Sequence, residues 1–163
     1  MSDAAFVPAF QKVAIIGLGL LGGSIGLALQ AHAPQIATTG YDRDADTRAR
    51  ARQRGLVGMV AETAAEAVRD ADLVIFCVPP LAMGAAAAEC APFLSSDALI
   101  SDVGSSKVAV AKALGEALPG HAIIPAHPVA GTENSGPDAG FASLFQGRWC
   151  IITPPDGADQ GKV

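Results

Sequence analysis

KVAIIGLGLLGGSIGLAL, residues 12–29, decides the fold. A short apolar run ends at Gly17 and passes directly into a longer apolar stretch of helical character, so a strand turns straight into a helix. The turn, Gly17-Leu-Gly19-Leu-Leu-Gly22, has G-x-G-x-x-G spacing. Its first glycine makes the tight turn, its second lets backbone approach a pyrophosphate, and its third allows close packing of helix on strand. The helix N-terminus, with Gly19, Leu20 and Leu21, offers unpaired N–H groups to phosphates. A glycine pattern alone is weak evidence. Here Asp42 stands twenty residues beyond Gly22, at the end of the next apolar run, IATTGYD (36–42). A carboxylate in that place accepts from the adenosine ribose hydroxyls and repels a 2′-phosphate, favouring NAD over NADP. Arg43 complicates this preference, since an arginine there either pairs with such a phosphate or stacks on adenine. The competing reading of the same residues is a glycine-rich turn with Asp42 as its cap.

Outward from this unit, short apolar runs alternate with helical stretches. The runs are LVIFCV (73–78), ALISDV (98–103), HAIIPA (121–126) and WCIITP (149–154), with GLVGMV (55–60) as a candidate short third strand. The stretches between are LLGGSIGLALQA, ADTRARARQR, AAEAVRDA, LAMGAAAAECAPFL and KVAVAKALGEAL. This alternation predicts an α/β, Rossmann-type doubly wound fold: a mostly parallel sheet with helices on both faces. Cys77, Val78 and Pro79 end the third strong strand on the ligand side of such a sheet, and Val103 ends the next.

The chain has 163 residues, of which 50% are apolar, enough for one domain with a substantial core. A formal charge of −5 argues against nucleic-acid or anionic-membrane partners. The basic residues Arg43, Arg48, Arg50, Arg52 and Arg54 lie among Asp42, Asp44 and Asp46, a pattern that predicts a solvated helix face. No apolar run reaches the ~18 residues of a membrane span, and no signal peptide is evident, so a cytoplasmic location is expected. Cys77, Cys90 and Cys150 are odd in number and widely spaced. They read as structural thiols, with Cys77 and Cys150 expected to be buried, and no metal site is expected.

Three histidines compete for a chemical role, and strand direction separates them. His121 opens its run and His127 follows its end, which places them about 20 Å apart at about 3.3 Å per residue. Only His127 then lies on the cofactor side. His32 follows the first helix and reads as a surface or capping residue. Pro128 holds His127 extended, so the imidazole projects in a defined direction. On the neighbouring loop, SDVGSSK (101–107), Ser105 or Ser106 either caps the next helix or sets a hydroxyl beside that imidazole.

GLGLLGGSIGLAL, YDRD, DLVIFCVPP, SDVGSSK and HPVAGTENSG, in this order, resemble the nucleotide-binding domain of prephenate and arogenate dehydrogenases, from about Lys12 to Pro154. The glycine loop is shared by many dehydrogenases; the serine loop paired with HPVAGTE is much more specific. The resemblance implies NAD-dependent oxidative decarboxylation in tyrosine biosynthesis. Hydride leaves the hydroxyl-bearing carbon of a cyclohexadienol as the ring carboxylate departs as CO2, and aromatisation drives the step. It also implies that His127 accepts a hydrogen bond or the proton from the ring hydroxyl, with Ser105 assisting. Gly131, Thr132 and Glu133 would form a flexible wall around this site, with Glu133 either influencing access and the state of His127 or serving as an exposed loop acid. An imidazole serves as acceptor only while unprotonated, so turnover is expected to fall at acid pH.

Such substrates are dianions, yet beyond Lys112 the chain offers only Arg148 and Lys162 to bind them. The resemblance implies a following helical domain that supplies carboxylate recognition and forms a homodimer. The chain is therefore read as one NAD-binding domain over 1–163, cut short after PPDGADQG, with little turnover of its own. Two rivals stand beside this reading. One is another Rossmann oxidoreductase, such as a hydroxyacid dehydrogenase or imine reductase; the other is a non-catalytic NAD-binding regulatory module.

Overall fold

The computed structural model describes residues 8–163; residues 1–7, part of the segment read for a signal peptide, lie outside the described residues. Six parallel strands form the main sheet: β1 (Lys12–Ile16), β2 (Ala37–Tyr41), β3 (Met59–Val60), β4 (Leu73–Phe76), β5 (Leu99–Asp102) and β6 (Ala122–Ile123). Their order in space is β3-β2-β1-β4-β5-β6. The chain winds one way from β1 to β3, returns to β4 and winds the other way, which is the Rossmann arrangement. The turning point between β1 and β4 opens a crevice at the carboxyl ends of the strands.

Alternation along β1 explains the layering. Val13 and Ile15 pack into an apolar cluster with Leu18, Ala51, Leu56 and Val57. That cluster lies beneath α1 (Leu20–His32) and α2 (Ala45–Arg54). Ala14 and Ile16 face the opposite way, into a larger cluster containing Val68, Val74, Phe76, Met83, Ile100 and Leu114. That side is covered by α3 (Ala64–Val68), α4 (Met83–Cys90) and α5 (Lys107–Ala117). A strand buried on both faces reads as a continuous apolar run, which is why VAII, following the partly exposed Lys12, is apolar throughout.

Helix ends follow local chemistry. Asp44 caps α2 by accepting from Thr47 N at 2.9 Å, and Gly55 ends it in a left-handed conformation (φ 61°). At α5 the capping alternative for the serines is not realised at Ser106, which holds the N-cap position while its side chain caps nothing. Among the described residues, no helix is long and apolar enough to cross a membrane.

Three expectations need correction. The run at 121–126 does not form one strand. Ile124 N still donates to Ile100 O at 2.9 Å, but the next residue, Pro125, has no N–H with which to continue the ladder. The chain then leaves the sheet and forms β7 (Ala126–Pro128), which pairs antiparallel with β8 (Cys150–Ile152) in a separate two-stranded ribbon. Cys150, expected to be buried, is exposed, because all three residues of β8 lie on an uncovered ribbon.

The arginine face is also more than solvated surface. Arg54 donates to Pro137 O (2.5 Å) and Gly140 O (3.0 Å), and Arg50 pairs with Asp138 at 2.5 Å. Ser24 of α1, fully buried, accepts from Phe141 N at 3.0 Å. Together these contacts bind the loop after β7 to the helices that flank the glycine turn.

Candidate active site

The crevice is a cleft of about 960 Å³ along the carboxyl edge of the sheet. Its floor is the glycine turn. Gly17 has φ of +100°, and a Cβ there would lie 2.6 Å from Cys77 O, so β1 and β4 approach to backbone distance. A Cβ on Gly22 would stand 1.9 Å from Gly17 O; only glycine lets α1 begin so close to the strand. At Gly19 the space for a Cβ is open, with nothing within 4 Å. Gly19, Leu20 and Leu21 line the cleft at the start of α1, where first-turn N–H groups have no intrahelical acceptor. These features suit a diphosphate.

Asp42 caps the glycine turn, one of the two roles weighed for it. Its Oδ2 accepts from Leu18 N at 2.9 Å and its Oδ1 from Asp44 N at 3.0 Å, so it braces the glycine turn and the start of α2. A carboxylate has about four acceptor positions, which leaves capacity for a ligand in the cleft that Asp42 also lines. Arg43, Cys77, Val78, Pro79 and Val103 line the same cleft. The Cys77 thiol is pushed far above its usual range by burial and by the nearby Asp102 carboxylate, so it stays protonated and packs as an apolar group.

At the other end stand Ser105, on the loop after β5, and His127, in the middle of β7; both line the cleft. His127 Nδ1 lies 3.4 Å from Val103 O. A proton on Nδ1 satisfies that carbonyl and leaves Nε2 as the ring's acceptor. His121 and His32 are not among the residues lining the cleft. His32 is exposed at the end of α1, and both ring nitrogens of His121 are buried without a hydrogen-bond partner. Gly131 and Thr132 do not line the cleft either. Thr132 Oγ1 instead accepts from Asn134 N at 3.1 Å in a local turn, and Ala130, Asn134, Ser135 and Gly136 supply the wall.

Beneath this end lies a polar centre absent from the sequence reading. Asp102 is 1% exposed and its carboxylate is fully engaged. Lys107 Nζ sits 2.6 Å from Oδ1 and 2.5 Å from Oδ2, and the backbone N–H groups of Gly104 (2.7 Å) and Ala126 (3.3 Å) also donate to it. The ammonium donates in addition to Ala126 O at 2.6 Å. Lys107 therefore ties the end of β5, the start of α5 and the residue before His127 into one unit. The signal was present in SDVGSSK: an acid closing a buried strand, with a lysine opening the next helix. Among the described residues, no group of three or more His, Cys, Asp or Glu gathers as a metal site.

Comparisons with known proteins agree with this fold. Residues 25–163 match the family model described as prephenate dehydrogenase, nucleotide-binding domain. A cyclohexadienyl dehydrogenase of Zymomonas mobilis is 51% identical over 145 residues, covering 89% of this chain and 50% of that protein. The crystal structure of Synechocystis arogenate dehydrogenase superposes with a TM-score of 0.84 at 27% identity, over 93% of this chain and 52% of that one. Prephenate dehydrogenase from A. aeolicus, solved with hydroxyphenyl propionate and NAD+, gives 0.79 at 25% identity, over 95% of this chain and 54% of that one. The chain spans half or less of the length of the curated relatives it matches.

Proposed function

This chain belongs to the prephenate dehydrogenase family, as its nucleotide-binding domain, and from that premise we propose that it binds NAD and forms the cofactor half of an enzyme that oxidatively decarboxylates prephenate or arogenate. The observation that carries this reading is the sharing of one cleft by the glycine turn, Asp42, Ser105 and His127. NAD, when bound, supplies the acceptor for the hydride. Gly19, Leu20 and Leu21 would hold its diphosphate and Asp42 its adenosine ribose.

The chain's own residues account for the rest. His127 accepts the proton of the ring hydroxyl at Nε2 while Val103 O steadies the Nδ1 side. The Ser105 hydroxyl hydrogen-bonds the same substrate oxygen or the imidazole. The Asp102–Lys107 pair fixes the backbone on either side, so neither group has to be ordered during reaction. Recognition of the second carboxylate, and a homodimer, belong in this proposal to the further length that the relatives possess; the domain spanning 1–163 is the dinucleotide unit, working in the cytoplasm.

The test is turnover of prephenate and arogenate by His127→Asn, made in the protein whose reading frame contains this chain. Loss of a general base is expected to cut kcat by about a hundred- to ten-thousand-fold. Near-normal turnover would rule out the role of His127. Binding of NAD without turnover by either protein would favour the regulatory-module reading instead.

A further inference from the structure

We propose that Glu89 is a cofactor-specificity determinant, its carboxylate acting with that of Asp42 to exclude a phosphate from the 2′ position of the adenosine ribose. This rests on the dinucleotide reading above and adds a second residue, from a different element, to the choice between NAD and NADP. Glu89 is the sole charged residue of the alanine-rich α4, Met83–Cys90. The acidic and basic side chains lining the cleft are Asp42, Arg43 and Glu89, an excess of negative charge.

Geometry places Glu89 at the Asp42 end. Its Oε1 lies 3.3 Å from the hydroxyl of Tyr41, the residue immediately before Asp42 at the end of β2. The phenol is held in its protonated form, since burial and then the Glu89 carboxylate raise its pKa, so it donates to Glu89 and leaves the carboxylate's charge intact. Among the described residues no lysine or arginine forms a salt bridge with Glu89.

The nearby cation that would otherwise offset this charge is already committed. The Arg48 guanidinium lies 5.8 Å above the Tyr41 ring, donates to the carbonyls of Asp42 (2.8 Å) and Arg43 (3.2 Å), and pairs with Glu62 at 3.3 Å. Asp42 cannot swing aside, because Leu18 N and Asp44 N hold its two oxygens. A 2′-phosphate entering here would find Arg43 alone in its favour and two carboxylates against it.

The experiment is calorimetric titration of NAD and NADP into the 163-residue chain and its Glu89→Gln, Glu89→Lys and Glu89→Asp variants. Because Glu89 is exposed, the effect is moderate: Glu89→Gln should narrow the preference for NAD by about three- to tenfold at low salt, through stronger NADP binding. Glu89→Lys should narrow it further, and Glu89→Asp should keep the parent ratio. The gain should fade at about 1 M salt, where the screening length is about 3 Å, whereas a merely structural disturbance has no such dependence. An unchanged ratio in the Gln and Lys variants, or a change indifferent to salt, overturns the role of Glu89 and leaves NAD binding standing. Failure of the parent chain to bind either dinucleotide overturns the cofactor reading, and this inference with it.

Discussion

The two ends of the cleft are built differently. At the glycine turn, buried strands surround the site, and Gly17 and Gly22 sit at distances no other residue tolerates. At His127 the supporting element is a two-stranded ribbon whose outer strand is exposed throughout, with Ile151 at 51% of full exposure and Trp149, just before it, at 83%. The first end takes its form from contacts completed within the chain. The second is held from beneath by the Asp102–Lys107 pair and from the side by Arg54 and Ser24, while its outer apolar face has no partner among the described residues. The contrast fits a protein in which cofactor binding is the more self-contained task.

Four measurements sharpen or break that contrast, from the largest effect to the smallest. Lys107→Met leaves the Asp102 carboxylate buried without its counter-ion, and should cost about 3–5 kcal/mol of stability in denaturant unfolding. A loss below about 1 kcal/mol would mean that the ribbon end does not depend on this pair. Gly22→Ala forces a Cβ towards Gly17 O, 1.9 Å away, and should cost about 1–3 kcal/mol while also weakening NAD binding. If the variant binds NAD normally, the closeness of the turn is not what shapes the site.

The third concerns the thiols. Burial, and then Glu89, push Cys90 up to about 12 from an ordinary 9.0. A folded-state pKa raised in this way favours the neutral thiol, so its contribution to stability is complete below the unfolded value and is lost as pH rises from about 9 towards about 12. Stability should therefore decline over that alkaline window, and less steeply in Cys90→Ala. At pH 8 a thiol reagent should modify the exposed Cys150 first in the folded chain; rapid labelling of Cys90 would contradict its burial. The smallest effect belongs to the ribbon's open face, where Ile151→Ser should change stability by no more than about 0.5 kcal/mol. A large loss there would show that the ribbon is better packed than its exposure indicates.

Much of the fold was legible because it is encoded locally. The glycine turn, the apolar runs and Asp42 each carry their signal within a few residues, and a parallel sheet with helices on both faces follows from their alternation. The caps of α2, Asp44 and Gly55, are likewise set by neighbouring residues. What escaped reading depends on partners distant in sequence. The β7–β8 ribbon joins His127 to Ile151, and no local pattern distinguishes WCIITP from another strand of the main sheet. Cys150 was misplaced for that reason. Likewise, Arg54 looks like any exposed helical arginine until residues 137–140 fold back on it, and Lys107 shows its purpose only once Asp102 and Ala126 O are beside it. At the candidate site, Asp42 was readable from its motif, and His127 was rightly placed at the cleft, although it sits in the β7–β8 ribbon and not past the end of a main-sheet strand. The wall at Asn134–Gly136 was not readable, because a turn centred on Thr132 decides which residues of that loop face inward.

The central claim is that this chain holds the dinucleotide through the turn and Asp42, with His127 reserved for the reacting end. Titration of NAD into the parent chain, Asp42→Ala and His127→Asn tests it directly. The account predicts that Asp42→Ala, which removes charged hydrogen-bond acceptors, weakens NAD binding by about tenfold or more, and that His127→Asn leaves it within about twofold. Equal losses in the two variants, or a loss confined to His127→Asn, would contradict it.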